Sequence, residues 1–238
     1  MTTQEFSDSF DTLLSSYITG LKFGEQEGAD VRLNEYEKSV FLTKAQEEIV
    51  LELYTGKNPY GESFEQTEEL RRYLGSLVSE KTIAPRAAAV GMPINNHYFI
   101  TLPQDLWFIT YESVTTTGTG CEAKTNMEVY PTRQDEFHKI KKNPFRGANE
   151  RRALRLDLSE GLIEIVCNYT VSEYYVRYLK KLSPIILTDL PDGLKVGEES
   201  AEQGCSLHKA LHQKILERAV ELALRSRGFT VRNNNENR

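Results

Sequence analysis

Residues 106–117 read LWFITYESVTTT, a run so dense in aromatic and β-branched side chains that only an extended strand accommodates it well. It stands in the middle of a 238-residue chain whose two ends carry helical periodicity. Helices, then strands, then a helix define an α+β fold, with a helical framework holding a β-rich, sandwich-like insertion.

Working outward, Tyr98, Phe99 and Ile100 form a short apolar run upstream, and Met127, Val129 and Tyr130 alternate with polar neighbours downstream. Pro103, Pro131 and the Gly118-Thr119-Gly120 tip supply turns. Strand texture returns at 153–158 and 162–169, with Gly161 as a hairpin turn, and again at 174–182. Between these strands Thr132 is expected to open a short helix, with Asp135 three residues on as an approximate capping box and Pro144 as its stop.

The flanks are helical. Phe10, Leu13, Leu14, Tyr17, Ile18 and Leu21 line one helix face, and Gly24 and Gly28 break the pattern in an acidic connector. Asn34 can cap a second helix whose apolar side carries Val40, Phe41, Ala45, Ile49 and Leu53, ended by Gly56 and Pro59. A third helix is expected over 64–78, its Glu65, Glu68 and Glu69 near the positive end of the helix dipole. At the far end, after a connector at 184–200 with a Pro191-Asp192-Gly193 turn, Ser206 is expected to cap the clearest helix. That helix carries Leu207, Leu211, Ile215, Ala219, Leu222 and Ala223, and Gly228 ends it. The asparagine-rich tail 232–238 reads as mobile. The expected organisation is a helical part over 1–79, a β-rich insertion over 80–204 with a short helix near 132–142, and a helix and polar tail over 205–238 that complete the helical part.

Composition removes many function classes. Hydrophobic residues at 39% and charged residues at 27% fit a soluble globular chain. A net charge of −6 argues against a dedicated nucleic-acid binder. No apolar run reaches ~18 residues, and Glu5, Asp8 and Asp11 interrupt a start where an export signal needs a basic residue and an apolar stretch. Three widely spaced cysteines, Cys121, Cys167 and Cys205, suit reduced thiols. His208 and His212 have metal-ligand spacing on a helix, but no third ligand is evident, and two solvated or partner-facing histidines are the default. No phosphate loop, nucleophile elbow or carboxylate couple occurs, so no cofactor is expected. Cys121 with His97 or His138 is the one nucleophile–base idea available, and an enzyme is the least favoured class.

One feature rises above this background. Between Thr132 and Arg155, eight basic residues (Arg133, Lys139, Lys141, Lys142, Arg146, Arg151, Arg152 and Arg155) face only Asp135, Glu136 and Glu150. The segment carries +5, so the remainder of the chain carries −11, with −8 in residues 1–79 alone. Such separation of sign suits docking of one copy's basic patch on another's acidic helices, or contact with phosphates of passing DNA; an ordinary solvated loop is the plain alternative. Asn143, Pro144 and Phe145 give the segment a shaped loop, with Phe145 as a candidate anchor.

Three stretches together resemble a known family. They are the helical pair 10–21 and 33–53, the segment PTRQDE at 131–136 followed by KKNPF at 141–145, and YVRYLKKLSPI at 175–185 leading by an acidic connector to the helix 207–227. This order is similar to the head–tail connector, or tail-tubular-type adaptor, proteins of short-tailed bacteriophages, and most of all to ring proteins of crAss-like phages. The resemblance implies a virion structural subunit without catalysis. It implies a homo-oligomeric ring, commonly a dodecamer, that joins portal to tail around the DNA channel and sits at the head–tail junction. Its partners would be its own copies, the portal, neighbouring ring or tail proteins and the DNA in transit, with no membrane. Assembly would take place in the host cytoplasm.

Overall fold

A computed structural model describes residues 1–21, 32–57, 66–86, 97–117, 126–159, 161–191 and 193–229. The chain forms two compact units, Met1–Leu77 with Leu182–Arg238, and Val78–Lys181. All seven strands fall in the second unit and every helix but one short one falls in the first, so the fold is α+β. The glycine connector 24–28, the 118–120 tip, Cys121 and the tail 232–238 lie outside the described residues.

The helical unit is built on α1 (Thr3–Leu21), α2 (Glu35–Thr55), α3 (Glu68–Leu74) and α5 (His212–Ser226). Asn34 caps α2 through a full capping box with Glu37, and Gly56 closes it in the left-handed region at φ 74°. Helix α3 is shorter than the expected 64–78 segment: Thr67 caps it, and after one 3-10 turn at Gly75–Leu77 the chain enters a strand. Helix α5 begins later than Ser206 suggested. His208 caps a 3-10 turn at Lys209–Leu211, and the α-helix follows from His212. At its end Gly228, at φ 82°, donates to Arg225 O and Phe229 donates to Leu224 O, which satisfies the terminal carbonyls in a Schellman motif. Arg218 pairs with Glu48, Lys214 with Glu52 and Arg227 with Glu37, so α5 runs antiparallel to α2.

The buried face of α2 differs from the expected one. Leu42, Ala45, Ile49, Val50 and Leu53 are inside together with Lys38, Ser39 and Gln46, while Val40 points outward. The cause is the segment after residue 182, expected as part of the insertion and found with the helices. Gln46 donates to Ser183 O at 2.9 Å, Thr43 Oγ1 accepts from Ile185 N at 3.0 Å, and Ser39 Oγ accepts from Leu187 N at 3.0 Å. Polar residues at i, i+4 and i+7 thus hold an extended strip whose Ile185, Ile186 and Leu187 are buried.

The second unit is one curled mixed sheet. Its strands are β1 (Val78–Ile83), β2 (His97–Thr101), β3 (Leu106–Thr117), β4 (Met127–Pro131), β5 (Arg152–Ser159), β6 (Leu162–Val166) and β7 (Thr170–Lys180). They are ordered β1-β7-β3-β4-β5-β6-β2, all antiparallel except the parallel pair β4–β5. The strands join a single sheet where the sequence suggested a sandwich. Its inner face folds on itself, so Ile100, Val114, Val129, Ile165, Tyr174 and Val176, from five strands, share one core. The chain leaving β1 at one edge bridges β2 at the other: Arg86 N donates to Phe99 O at 2.7 Å.

Candidate functional site

The basic segment is the crossover between β4 and β5. Parallel neighbours cannot be joined by a tight turn, so residues 132–151 must leave one end of the sheet and return to the other. The expected helix shrinks to α4 (Phe137–Lys141). Thr132 is no cap: its N–H donates to Arg155 O at 2.8 Å and prolongs the β4–β5 ladder. Helix α4 has no side-chain cap and is held by packing. Phe137, Ile140 and Ala148 cover Leu154, Leu156 and Val166, which form a second apolar cluster. Leu154 and Leu156 alternate along β5 with the inward-facing Ala153 and Arg155.

Beneath α4 lies a polar contact. His97 Nδ1 hydrogen-bonds Glu164 Oε1, both buried, and His97 Nε2 lies 3.5 Å from Lys141 Nζ. The Phe137 ring meets His97 edge-on, with centroids 6.2 Å apart, and Lys141 stands 5.6 Å over the Phe137 ring. His97 is therefore engaged as a support for the crossover. Cys121, its suggested nucleophilic partner, falls outside the described residues.

The eight basic side chains separate into three settings. Arg133, Lys139, Lys141, Lys142, Arg146 and Arg151 are exposed, and of these Arg133 alone has an ion-pair partner among the described residues, Asp135 at 3.3 Å. Arg152 is half-buried, its guanidinium 4.1 Å over the Tyr130 ring and its Nη1 donating to Phe145 O at 3.1 Å. Arg155 turns into the sheet: Nη1 lies 2.7 Å from Glu112 Oε1, and Nε lies 3.1 Å from Asp157. Tyr174 OH donates to the other Glu112 oxygen at 2.8 Å. Burial pushes the Glu112 carboxyl up from its ordinary 4.5, with Arg155 pulling against it, and pushes the Tyr174 phenol up as well.

Phe145 is 85% exposed, far beyond any other large apolar side chain among the described residues; Tyr111 follows at 44%. Its loop is tightly tied. Asn143 Oδ1 accepts from Phe145 N at 2.9 Å and Arg146 N at 3.2 Å, and Gly147 N donates to Asn143 O at 2.7 Å. Sequence reasoning found this loop through its charge and its Asn-Pro-Phe. It missed the parallel crossover, which single-strand texture does not encode.

The remaining suggested site does not form. His208 caps its turn by accepting from Ala210 N, while buried His212 donates from Nε2 to Leu207 O at 3.1 Å and has Nδ1 2.9 Å from the Met1 nitrogen. Among the described residues no group of three His, Cys, Asp or Glu side chains could hold a metal ion, and no helix is long and apolar enough to cross a membrane.

Comparison with known proteins adds three findings. Residues 1–236 match the family described as phage tail ring protein 3/4. The chain is 44% identical over 231 residues to Ring protein 3 of Bacteroides phage crAss001, a match spanning 95% of this chain and 96% of that one. It is 29% identical over 235 residues to Ring protein 4/5 of the same phage, spanning 94% and 92% respectively.

Proposed function

The chain belongs to the phage tail ring protein 3/4 family, and from that premise we propose that its copies assemble into a ring, twelvefold in symmetry, that joins portal to tail at the head–tail junction of the virion. The ring surrounds the channel through which DNA leaves, stacks against neighbouring ring or tail proteins, is put together in the host cytoplasm, and performs no turnover. The observation that carries this reading is the crossover 132–151. It is a packed, tied platform that exposes Lys139, Lys142, Arg146 and Arg151 from a chain that is otherwise strongly acidic. Opposite charges on different parts of one subunit favour head-to-tail contact between copies, and a heterologous contact repeated around an axis closes into a ring.

The test is the mass and symmetry of the purified protein, alone and mixed with portal, by light scattering and electron microscopy. Rings with a central channel, formed alone or on the portal, support the reading; a monomer indifferent to the portal overturns it. If the basic platform instead grips DNA, binding falls with salt at a slope near −0.9 per phosphate contact.

A further inference from the structure

A pocket of about 530 Å³ opens at one end of the sheet, lined by Leu102, Pro103, Leu106, Trp107 and Gly161 together with the polar Thr101, Gln104 and Lys181. Its size is that of a ligand site, and its lining is mostly apolar. It lies at the carboxyl end of β5, where Gly161 turns the chain into β6 and Thr101 pairs with Leu162. The Phe145 loop lies at the opposite end of β5, ahead of Arg152. Eight strand residues at ~3.3 Å each put about 25 Å between the two features, so a subunit cannot seat its own Phe145.

We propose that this pocket receives Phe145 of the adjacent copy, as the apolar anchor of the subunit contact. The inference rests on the ring reading above and supplies its contact. A knob and a hole on different ends of one unit form a heterologous pair, the kind that propagates from copy to copy and closes. The knob is preorganised: Pro144, the Asn143 turn and the Arg152–Phe145 hydrogen bond fix the loop before contact, so little ordering remains to be done on docking. An aromatic seated in a mostly apolar pocket, with the exposed Lys142, Arg146 and Arg151 in the same segment, has the anatomy of an interface hot spot, with an apolar centre and a charged rim. Exposed at 85%, the Phe145 side chain buries little surface inside its own subunit.

The test uses two variants and one cross-link. Phe145→Ala removes the knob; Gln104→Tyr, at an exposed rim position, fills the hole without disturbing buried residues. Each variant alone is expected to assemble at least tenfold more weakly than the unaltered chain, with an unchanged circular dichroism spectrum. Mixed together they are expected to give one-to-one pairs and nothing larger, because one good knob still meets one good hole. Trp107, the sole tryptophan, is expected to shift its emission on assembly of the unaltered chain and not in Phe145→Ala. A benzoylphenylalanine at position 145, irradiated in assembled particles, is expected to attach to residues 101–107 of another copy. Attachment to a different protein or to DNA, or rings from either variant at the normal yield, overturns the proposal while leaving the ring itself standing. Particles in which the unaltered chain forms no ring overturn both.

Discussion

Arg155 on β5 and Glu112 on β3 meet 2.7 Å apart on the inner face of the sheet, across the width of β4, which runs between their strands. Neither belongs to the surface that the basic segment presents. Removing one partner strands the other in a buried site, which typically costs 3–5 kcal/mol. Arg155→Met is expected to destabilise the protein by about that amount in urea unfolding. The double variant Arg155→Met with Glu112→Met is expected to recover most of it, because the unpaired carboxylate is gone. A double variant no better than the single one refutes the pairing.

Lys38 offers the contrasting case. Its side chain is 3% exposed, with Nζ 2.7 Å from Asp11 and 2.9 Å from Glu35, which are 55% and 37% exposed. Burial pulls the ammonium down from its ordinary 10.5, and the two carboxylates outweigh this and raise it. On Lys38→Met both acids can turn to water, so the expected cost is about 1–3 kcal/mol, below that of Arg155→Met. Equal costs in the same urea series refute the role given to solvent access.

His212 predicts a pH response. Burial, together with the nearby Met1 nitrogen, Lys209 and His208, lowers it below its ordinary 6.5, against the Leu207 carbonyl that favours its charged form. The unfolded chain therefore takes up the proton first as acid is added. Stability from this group is present above pH 6.5 and is lost as pH falls through the lower folded-state value. His212→Gln is expected to lose less melting temperature between pH 7 and pH 5 than the unaltered chain. A parallel decline in both proteins contradicts this.

Gly147 controls the pose of the exposed aromatic. A Cβ there would meet Asn143 O at 2.9 Å, Ile140 O at 3.1 Å and Lys141 O at 3.2 Å, all backbone atoms. Gly147→Ala is expected to cost about 1–3 kcal/mol through strain in the crossover. It is also expected to weaken ring assembly although Phe145 itself is untouched. Normal assembly by a destabilised Gly147→Ala shows that loop pose is irrelevant.

Much of this was readable from residue pattern because local physics decided it. The 106–117 run became β3, the Asn34 cap started α2, and Gly161 turned β5 into β6 at φ 74°. The 174–182 stretch, read as strand, falls largely in β7 because both its neighbours, β1 and β3, pair with it there. What escaped was decided by distant partners. The Ser39, Thr43 and Gln46 stripe looks solvent-facing until the 183–187 strip lies along it, and the polar β1, VSEKTI, looks like a loop until β7 pairs with it. At the candidate site the charge excess and Phe145 were visible in the sequence. That Arg155 serves the core was not, because inward or outward facing depends on the register of a parallel strand.

The pairing of Val78 with Leu179 puts the first residue of the sheet unit opposite nearly its last. Cα atoms so paired stand only ~5 Å apart. A graft of 78–181 into another host loop would thus impose almost no spacing demand, and a short Gly-Ser joint from Leu77 to Leu182 would reconnect the helices. Although it occupies the middle of the chain, the sheet unit is topologically a side branch, able to be exchanged, shortened or tagged as one cassette.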